Sequence, residues 1–367
     1  MRLCNNAIFV LFLSASALCF GAQPAASAQA AGPGSAGAGV AGQDGAGQAP
    51  SLTADRDPIP SPDRGGAATT PGEKLKKQGK GYVLRRDVDE VVLNATVLDG
   101  NRLVEDLKAG DFKVYEDGVE QKIISFQHTD LPVSMGLVVD NSGSMATKRP
   151  AVNKSALDLV EASNPQDEAF VVNFSDEAYI DQDFTSDINK LRDGLSHIDS
   201  RGGTALYDAL VATADKLVAD GKRPKQVLVV ITDGEDNASE QTLEQTIERV
   251  QQLSGPEIYS IGLLFGDDMT RSEARHAKGA LEMLSTETGG IAFFPRNMEQ
   301  VDQIAAEVAR DIRSQYTIGY RSTESASVPG FRRVTVTAEA KGMGKLTVRT
   351  RTGYYPGARI AKQGAGQ

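Results

Sequence analysis

Cysteine is nearly missing from this chain of 367 residues: Cys4 and Cys19 are its two, and both precede residue 20. The remainder of the chain therefore has no disulfide, no thiol nucleophile and no Cys-based zinc or iron–sulfur site. Histidine is scarce too. His128, His197 and His276 stand far apart, and none falls in a His-x-x-x-His ligand pattern. Positive charge is in deficit, with 39 Lys plus Arg against 49 Asp plus Glu, a net of −10. That balance speaks against nucleic-acid binding, which depends on basic residues neutralising phosphate, and against anionic membrane surfaces. There is no Gly-x-x-x-x-Gly-Lys phosphate loop and no Gly-x-Ser-x-Gly nucleophile turn. Long apolar stretches are lacking as well: Ala7 to Phe20 covers 14 residues, short of the roughly 18–20 that a membrane-spanning helix needs. What remains is 40% hydrophobic and 24% charged, a composition that suits globular domains.

Arg2, the apolar run and the small residues around Ala26, Ala28 and Ala30 fit an exported chain with a cleaved signal peptide over residues 1–30. Residues 31–50 hold 7 Gly, 6 Ala and 2 Pro, leaving almost no side-chain area to bury. A disordered linker is expected over 31–81, and the basic residues Lys74, Lys76, Lys77, Lys80, Arg85 and Arg86 straddle its end. Folded structure is expected from about Tyr82, and a disordered tail over 359–367. No segment after signal cleavage reads as transmembrane, and the signal-peptide pattern makes an exported protein, periplasmic or secreted, the expectation.

Residues 82–131 read as short strands. Val91–Leu98 ends at the turn signal Asp99-Gly100. Phe112–Tyr115 turns at Asp117-Gly118, and Val119–Phe126 resumes the alternation. From residue 132 the pattern changes to apolar β runs alternating with amphipathic helices. The runs are Met135–Val139, Phe170–Phe174, Val227–Ile231, Ile258–Phe265 and Ile291–Phe294, nearly continuous in Val, Ile, Leu and Phe, as in strands covered on both faces. Between them, Leu243, Ile247 and Val250 mark a helix capped at Ser239 and stopped at Gly255-Pro256. Val301, Ile304, Ala305, Val308 and Ile312 mark another, with Asn297 and Gln300 at its start. Ala178–Gln182 follows the second run too closely for a crossover, so it is expected antiparallel at an edge. Strand patterns return over 316–358. The fold expected is α/β, a doubly wound, mainly parallel sheet with helices on both faces. It is inserted at 132–315 into a discontinuous all-β domain built from 82–131 and 316–358, since neither flank has strands enough to stand alone. No internal repeat is present.

The chemistry concentrates at the carboxyl ends of these strands, where open α/β sheets form their ligand sites. Asp140-Asn141-Ser142-Gly143-Ser144 follows the first run, Gly202-Gly203-Thr204 opens a helix, and Thr232-Asp233-Gly234 follows the third. Asp140, Ser142, Ser144, Thr204 and Asp233 together offer two carboxylates and three hydroxyls. Oxygen donors alone select a hard cation, Mg²⁺ first, with Mn²⁺ or Ca²⁺ as substitutes. The first three alone would also fit a strand-end turn and helix cap; Thr204 and Asp233 make the set specific. Asp236 and Asp267-Asp268 read as solvated loop carboxylates, and His197 and His276 as helix-surface residues.

This set resembles the metal-ion-dependent adhesion site of the von Willebrand factor type A domain family, over about residues 132–315. The flanks Asp111–Gly118 and Gly353–Pro356 resemble an exported subgroup of that family first described in acidobacteria, a likeness that bears on architecture more than on function. The resemblance implies that Ser142, Ser144 and Thr204 bind the metal directly, while Asp140 and Asp233 act mainly through water. It also implies that the last helix, within Met298–Gln315, shifts between open and closed states. The function expected is a non-enzymatic, divalent-metal-dependent protein-binding module of adhesion type, presenting Mg²⁺ to an Asp or Glu carboxylate of a partner protein. A structural or assembly role in the cell envelope, with the metal stabilising loops, is the alternative. A metal-dependent hydrolase ranks third, because no base stands near either serine in sequence and Ser142 occupies the place where such phosphoryl-transfer enzymes carry a second acid.

Overall fold

The computed structural model describes residues 90–356, apart from 163, 199 and 266–268. The expected signal peptide, linker, basic patch and tail lie outside them, as does Asp267-Asp268.

The first strands follow the alternation of their side chains. Leu93, Ala95 and Val97 point inward from β1 (Glu90–Asp99), which turns at Gly100 into β2 (Arg102–Leu103). Then come β3 (Phe112–Glu116), β4 (Val119–Gln121) and β5 (Ile123–Gln127). The expected continuous strand over Val119–Phe126 is broken. Residues 119–121 pair with β3, whereas residues 123–127 cross to a different sheet. Gln121 marks the break: its side-chain amide is buried, donating to Val119 O and Thr323 Oγ1 and accepting from the Thr323 amide.

The α/β unit runs β6 (Val133–Asp140), α1 (Arg149–Glu161), β7 (Glu168–Phe174), β8 (Ala178–Thr185), α2 (Ile188–Leu195), α3 (Leu206–Asp220), β9 (Lys225–Thr232), α4 (Leu243–Leu253), β10 (Glu257–Gly262), α5 (Arg271–Thr288), β11 (Ala292–Phe293) and α6 (Val301–Arg313). Its sheet has the order β11-β10-β9-β6-β7-β8, parallel throughout except for β8, which pairs antiparallel with β7 at the edge as expected. All residues of β6, β7, β9 and β10 are buried, because helices cover both faces. Met135, Leu137 and Val139 point to α1, α2 and α6, where Val152, Leu191 and Val308 meet them. Val138, Phe170 and Val172 point to α3, α4 and α5, against Leu210, Ile247 and Leu281.

Helix α4 is capped by Thr242 in a reciprocal capping box with Gln245, and not by Ser239. Ser239 instead accepts from the Tyr207 and Asp208 amides and so caps α3 from outside. The reason is distance: Ser239 lies too far ahead of Leu243 to reach the first free amides of α4. His197 lies past the end of α2, with Nδ1 3.1 Å from Asp181. His276 is on α5 and exposed.

The chain ends in β12 (Tyr316–Arg321), β13 (Arg332–Ala338), β14 (Leu346–Arg349) and β15 (Gly353–Tyr354). Strands from the two flanks interleave. One antiparallel sheet runs β14-β1-β12-β5 and a second β15-β13-β3-β4, so each draws on both sides of the α/β unit. They close around Leu93, Phe112, Val114, Tyr316, Ile318 and Val336. Among the described residues, no helix is long and apolar enough to cross a membrane.

Candidate metal centre

Three loops meet at the carboxyl edge of β6 and β9. In the first, Asp140 ends β6 fully buried, and its two carboxylate oxygens face inward. One accepts the Ser142 amide at 2.8 Å, the other the Thr232 hydroxyl at 2.6 Å. Burial, opposed by these donors, pushes the Asp140 carboxyl up to about 6. The Ser142 amide bond turns the chain back sharply. A 3₁₀ turn over Gly143–Met145 then brings the Ser142 and Ser144 hydroxyls within 3.2 Å of each other.

Helix α1 begins only at Arg149, five residues beyond Ser144, with Pro150 in its first turn. Arg149 lies wholly buried beneath the turn. It donates to Asp140 O at 3.3 Å, Asn173 Oδ1 at 2.8 Å and Leu195 O at 3.2 Å. Burial lowers its pKa to about 10, so it stays charged at neutral pH.

The second loop is shaped by glycine. Gly202 has φ +79°, and a Cβ there would collide with the Asp176 carboxylate, which accepts the Gly203 amide at 2.7 Å. The loop wraps this carboxylate and delivers Thr204. Asn237 then pins Thr204 from both sides: its side chain accepts the Thr204 amide at 2.9 Å, and its own amide donates to Thr204 O at 3.0 Å. Asn141 ties in the same stretch through the Ser200 and Arg201 amides.

From the third loop, Asp233 Oδ1 accepts the Ser144 hydroxyl at 2.8 Å. Its Oδ2 accepts from Lys148 Nζ at 2.5 Å. A Cβ at Gly234 would sit 3.4 Å from Thr204 Oγ1, which places that hydroxyl against the same turn. Asp236 is not turned to this point; it accepts from the Ser239 hydroxyl and the Tyr207 amide. The loops open onto a groove of about 250 Å³ lined by Ser144, Lys148, Thr204, Asp233, Phe265 and Glu273, among others.

Ser142, Ser144 and Asp233 are thus linked by direct contacts, Thr204 joins them across Gly234, and Asp140 lies behind them. The separations from Ser142 to Ser144 and from Ser144 to Asp233 are 3.2 and 2.8 Å, so these three side chains form one hydrogen-bonded chain at the strand edge. Among the described residues no three or more His, Cys, Asp or Glu cluster in a way that could hold a metal, so a centre here depends on hydroxyls. Thr232, Arg149, Asn237, Asp176 and Lys148 were not singled out in the sequence. Lys148 alone left a signal, a cation one helical turn beyond Ser144.

The human protein "Inter-alpha-trypsin inhibitor heavy chain H6" is 24% identical to this chain over 205 residues, 52% of this chain and 15% of that protein. The chain therefore spans only a small part of that relative. Among solved structures, a von Willebrand factor type A protein from Catenulispora acidiphila aligns at 14% identity and TM-score 0.41, over 66% of this chain and 73% of that one. The PilB minor pilin from Streptococcus sanguinis aligns at 16% and 0.40, over 50% and 62%. The mussel byssus protein PTMP1, with a zinc-occupied MIDAS motif, aligns at 17% and 0.40, over 55% and 50%. Residues 135–235, from inside β6 to just past Asp233, match the family model of the von Willebrand factor type A domain.

Proposed function

We propose that this chain is an exported protein-binding module that works through a divalent cation, Mg²⁺ before Mn²⁺ or Ca²⁺. Ser142, Ser144 and Thr204 would hold the ion by their hydroxyls, with Asp233 and Asp140 supporting them. The observation that carries this reading is the meeting of oxygen donors from three separate loops at one strand edge, a donor set that suits a hard cation.

When bound, the ion supplies a strongly electrophilic position open to an outside carboxylate, because neutral hydroxyls withdraw little of its charge. The residues of the chain do the rest. Asp140 holds the Ser142 turn through the backbone, and Thr232 holds Asp140. Asp233 orients the Ser144 hydroxyl. Asn237 fixes the height of Thr204. The partner is a protein offering Asp or Glu, and the chain acts by binding without turning over a substrate. Export rests on the amino-terminal sequence pattern.

The test is a calorimetric titration of the whole chain with Mg²⁺ and Mn²⁺, beside Thr204→Ala. One ion per chain is expected for wild type, with binding at least about tenfold weaker in the variant while its circular dichroism is unchanged. Capture of the partner from native envelope should be lost in the variant and reversibly lost with chelator. Unaltered metal binding by Thr204→Ala would refute the site, and capture insensitive to chelator would favour a purely structural role in the envelope.

A further inference from the structure

Asp233 already has a cation. Its side chain has no solvent exposure, and Lys148 lies against it with 13% exposure and Nζ 2.5 Å from Oδ2. The other carboxylate oxygen is taken by Ser144. Nζ also stands 5.9 Å from the centre of the Phe265 ring, whose face favours a cation. A carboxylate this deeply buried demands a positive partner, and the lysine satisfies that demand within the chain. The backbone beneath is fixed: the Lys148 amide donates to Met145 O, and its carbonyl accepts from Ala151 and Val152. The ammonium, in contrast, hangs on four rotatable bonds at the mouth of the groove.

We propose that Lys148 is a built-in counter-cation of Asp233 that competes with the divalent ion, so that loading the site exchanges an ammonium for a metal. This rests on the metal-site reading above and adds a regulating residue to it. A divalent ion held by the Ser144 hydroxyl and an ammonium on the carboxylate that orients that hydroxyl repel each other at close range, in surroundings that screen poorly. Metal entry therefore requires the lysine to swing toward solvent. The exchange keeps the loops assembled when no metal is bound, and it sets a threshold of metal concentration below which the site stays closed to an acidic partner.

Two measurements on the full chain test this. Magnesium titration of Lys148→Met by calorimetry should give binding about tenfold or more tighter than wild type. In wild type, an amine-reactive label read by mass spectrometry should modify Lys148 several-fold faster at saturating Mg²⁺ than in chelator, while the exposed Lys278 keeps its rate. The labelling needs no variant, so it stands even if Lys148→Met folds poorly. Equal affinity in the two proteins, or a labelling rate at Lys148 unchanged by Mg²⁺, would overturn the exchange and leave the metal site intact. No Mg²⁺ binding by either folded protein would bring down the metal site, and the exchange with it.

Discussion

Asp140 is buried as completely as a core leucine, yet it is a carboxylate. Both its oxygens are committed inward, to the Ser142 amide and the Thr232 hydroxyl, so its task in the fold is to hold a turn. That task has a pH signature. Burial raises the carboxyl from an ordinary 3.8 to about 6, so the folded chain binds this proton more tightly than the unfolded chain does. The stability gained from protonation is full below the unfolded value and is lost as pH rises through about 6. A rise of that size corresponds to about 3 kcal/mol. Metal-free wild type should therefore gain stability from this group on acidification from pH 7 toward 4. Asp140→Asn should lack that part of the gain. Urea titrations in chelator at several pH values, compared between the two proteins, measure the difference; identical pH slopes would show that Asp140 is not held as a buried acid.

At the scale of elements, α6 is tied at both ends. Near its start, Asp302 accepts from Ser155 at 2.5 Å and Lys154 at 2.9 Å, both on α1. Near its end, Asp311 accepts from Tyr259 of β10 at 2.6 Å and Arg349 of β14 at 2.5 Å. Sliding of this helix, the motion its family resemblance implies, would have to release both ties. Asp311→Ala leaves the Arg349 guanidinium largely buried without its partner, and a loss of about 3 kcal/mol is expected in urea denaturation. Amide exchange in α6 should quicken with it, whereas a variant exchanging like wild type would place the restraint elsewhere. These ties were invisible in the sequence, because each joins residues that are distant along the chain. The strands were legible for the opposite reason: Met135–Val139 and Val227–Ile231 are apolar without a break because helices cover both faces, and no partner need be known to see it. Ser142, Ser144, Thr204 and Asp233 were legible because each stands where an apolar run ends or a helix begins. Ser239 was misread, since a cap can serve a helix that it does not precede. Lys148 went unread because its partner lies on another loop.

Across the whole molecule, the candidate site and the β sheets occupy opposite ends of the parallel strands. The site lies at the carboxyl ends of β6 and β9. The flanking segments meet the amino ends, beside which Lys225 Nζ of β9 donates to Ile312 O of α6 and Gln315 donates to Glu257 of β10. There too Arg351 joins Ser254 O to Val92 O, with both bonds at 2.7 Å. Eight residues of β6 separate the two ends, about 26 Å. The chain enters and leaves the α/β unit at that far end, so the β sheets hold the unit without approaching the groove. At such a distance, with no shared partners, effects of substitution should add independently. Arg351→Ala strips two partly buried carbonyls of their donor, and a loss of about 1–3 kcal/mol is expected in urea denaturation. Its Mg²⁺ affinity should stay within about twofold of wild type. Thr204→Ala should do the reverse, weakening metal binding with little change in stability. Performing both measurements on both variants separates the ends of the molecule: if Arg351→Ala weakened Mg²⁺ binding tenfold, the β sheets would have to communicate with the loops through the strands, and the two ends could no longer be treated as mechanically separate.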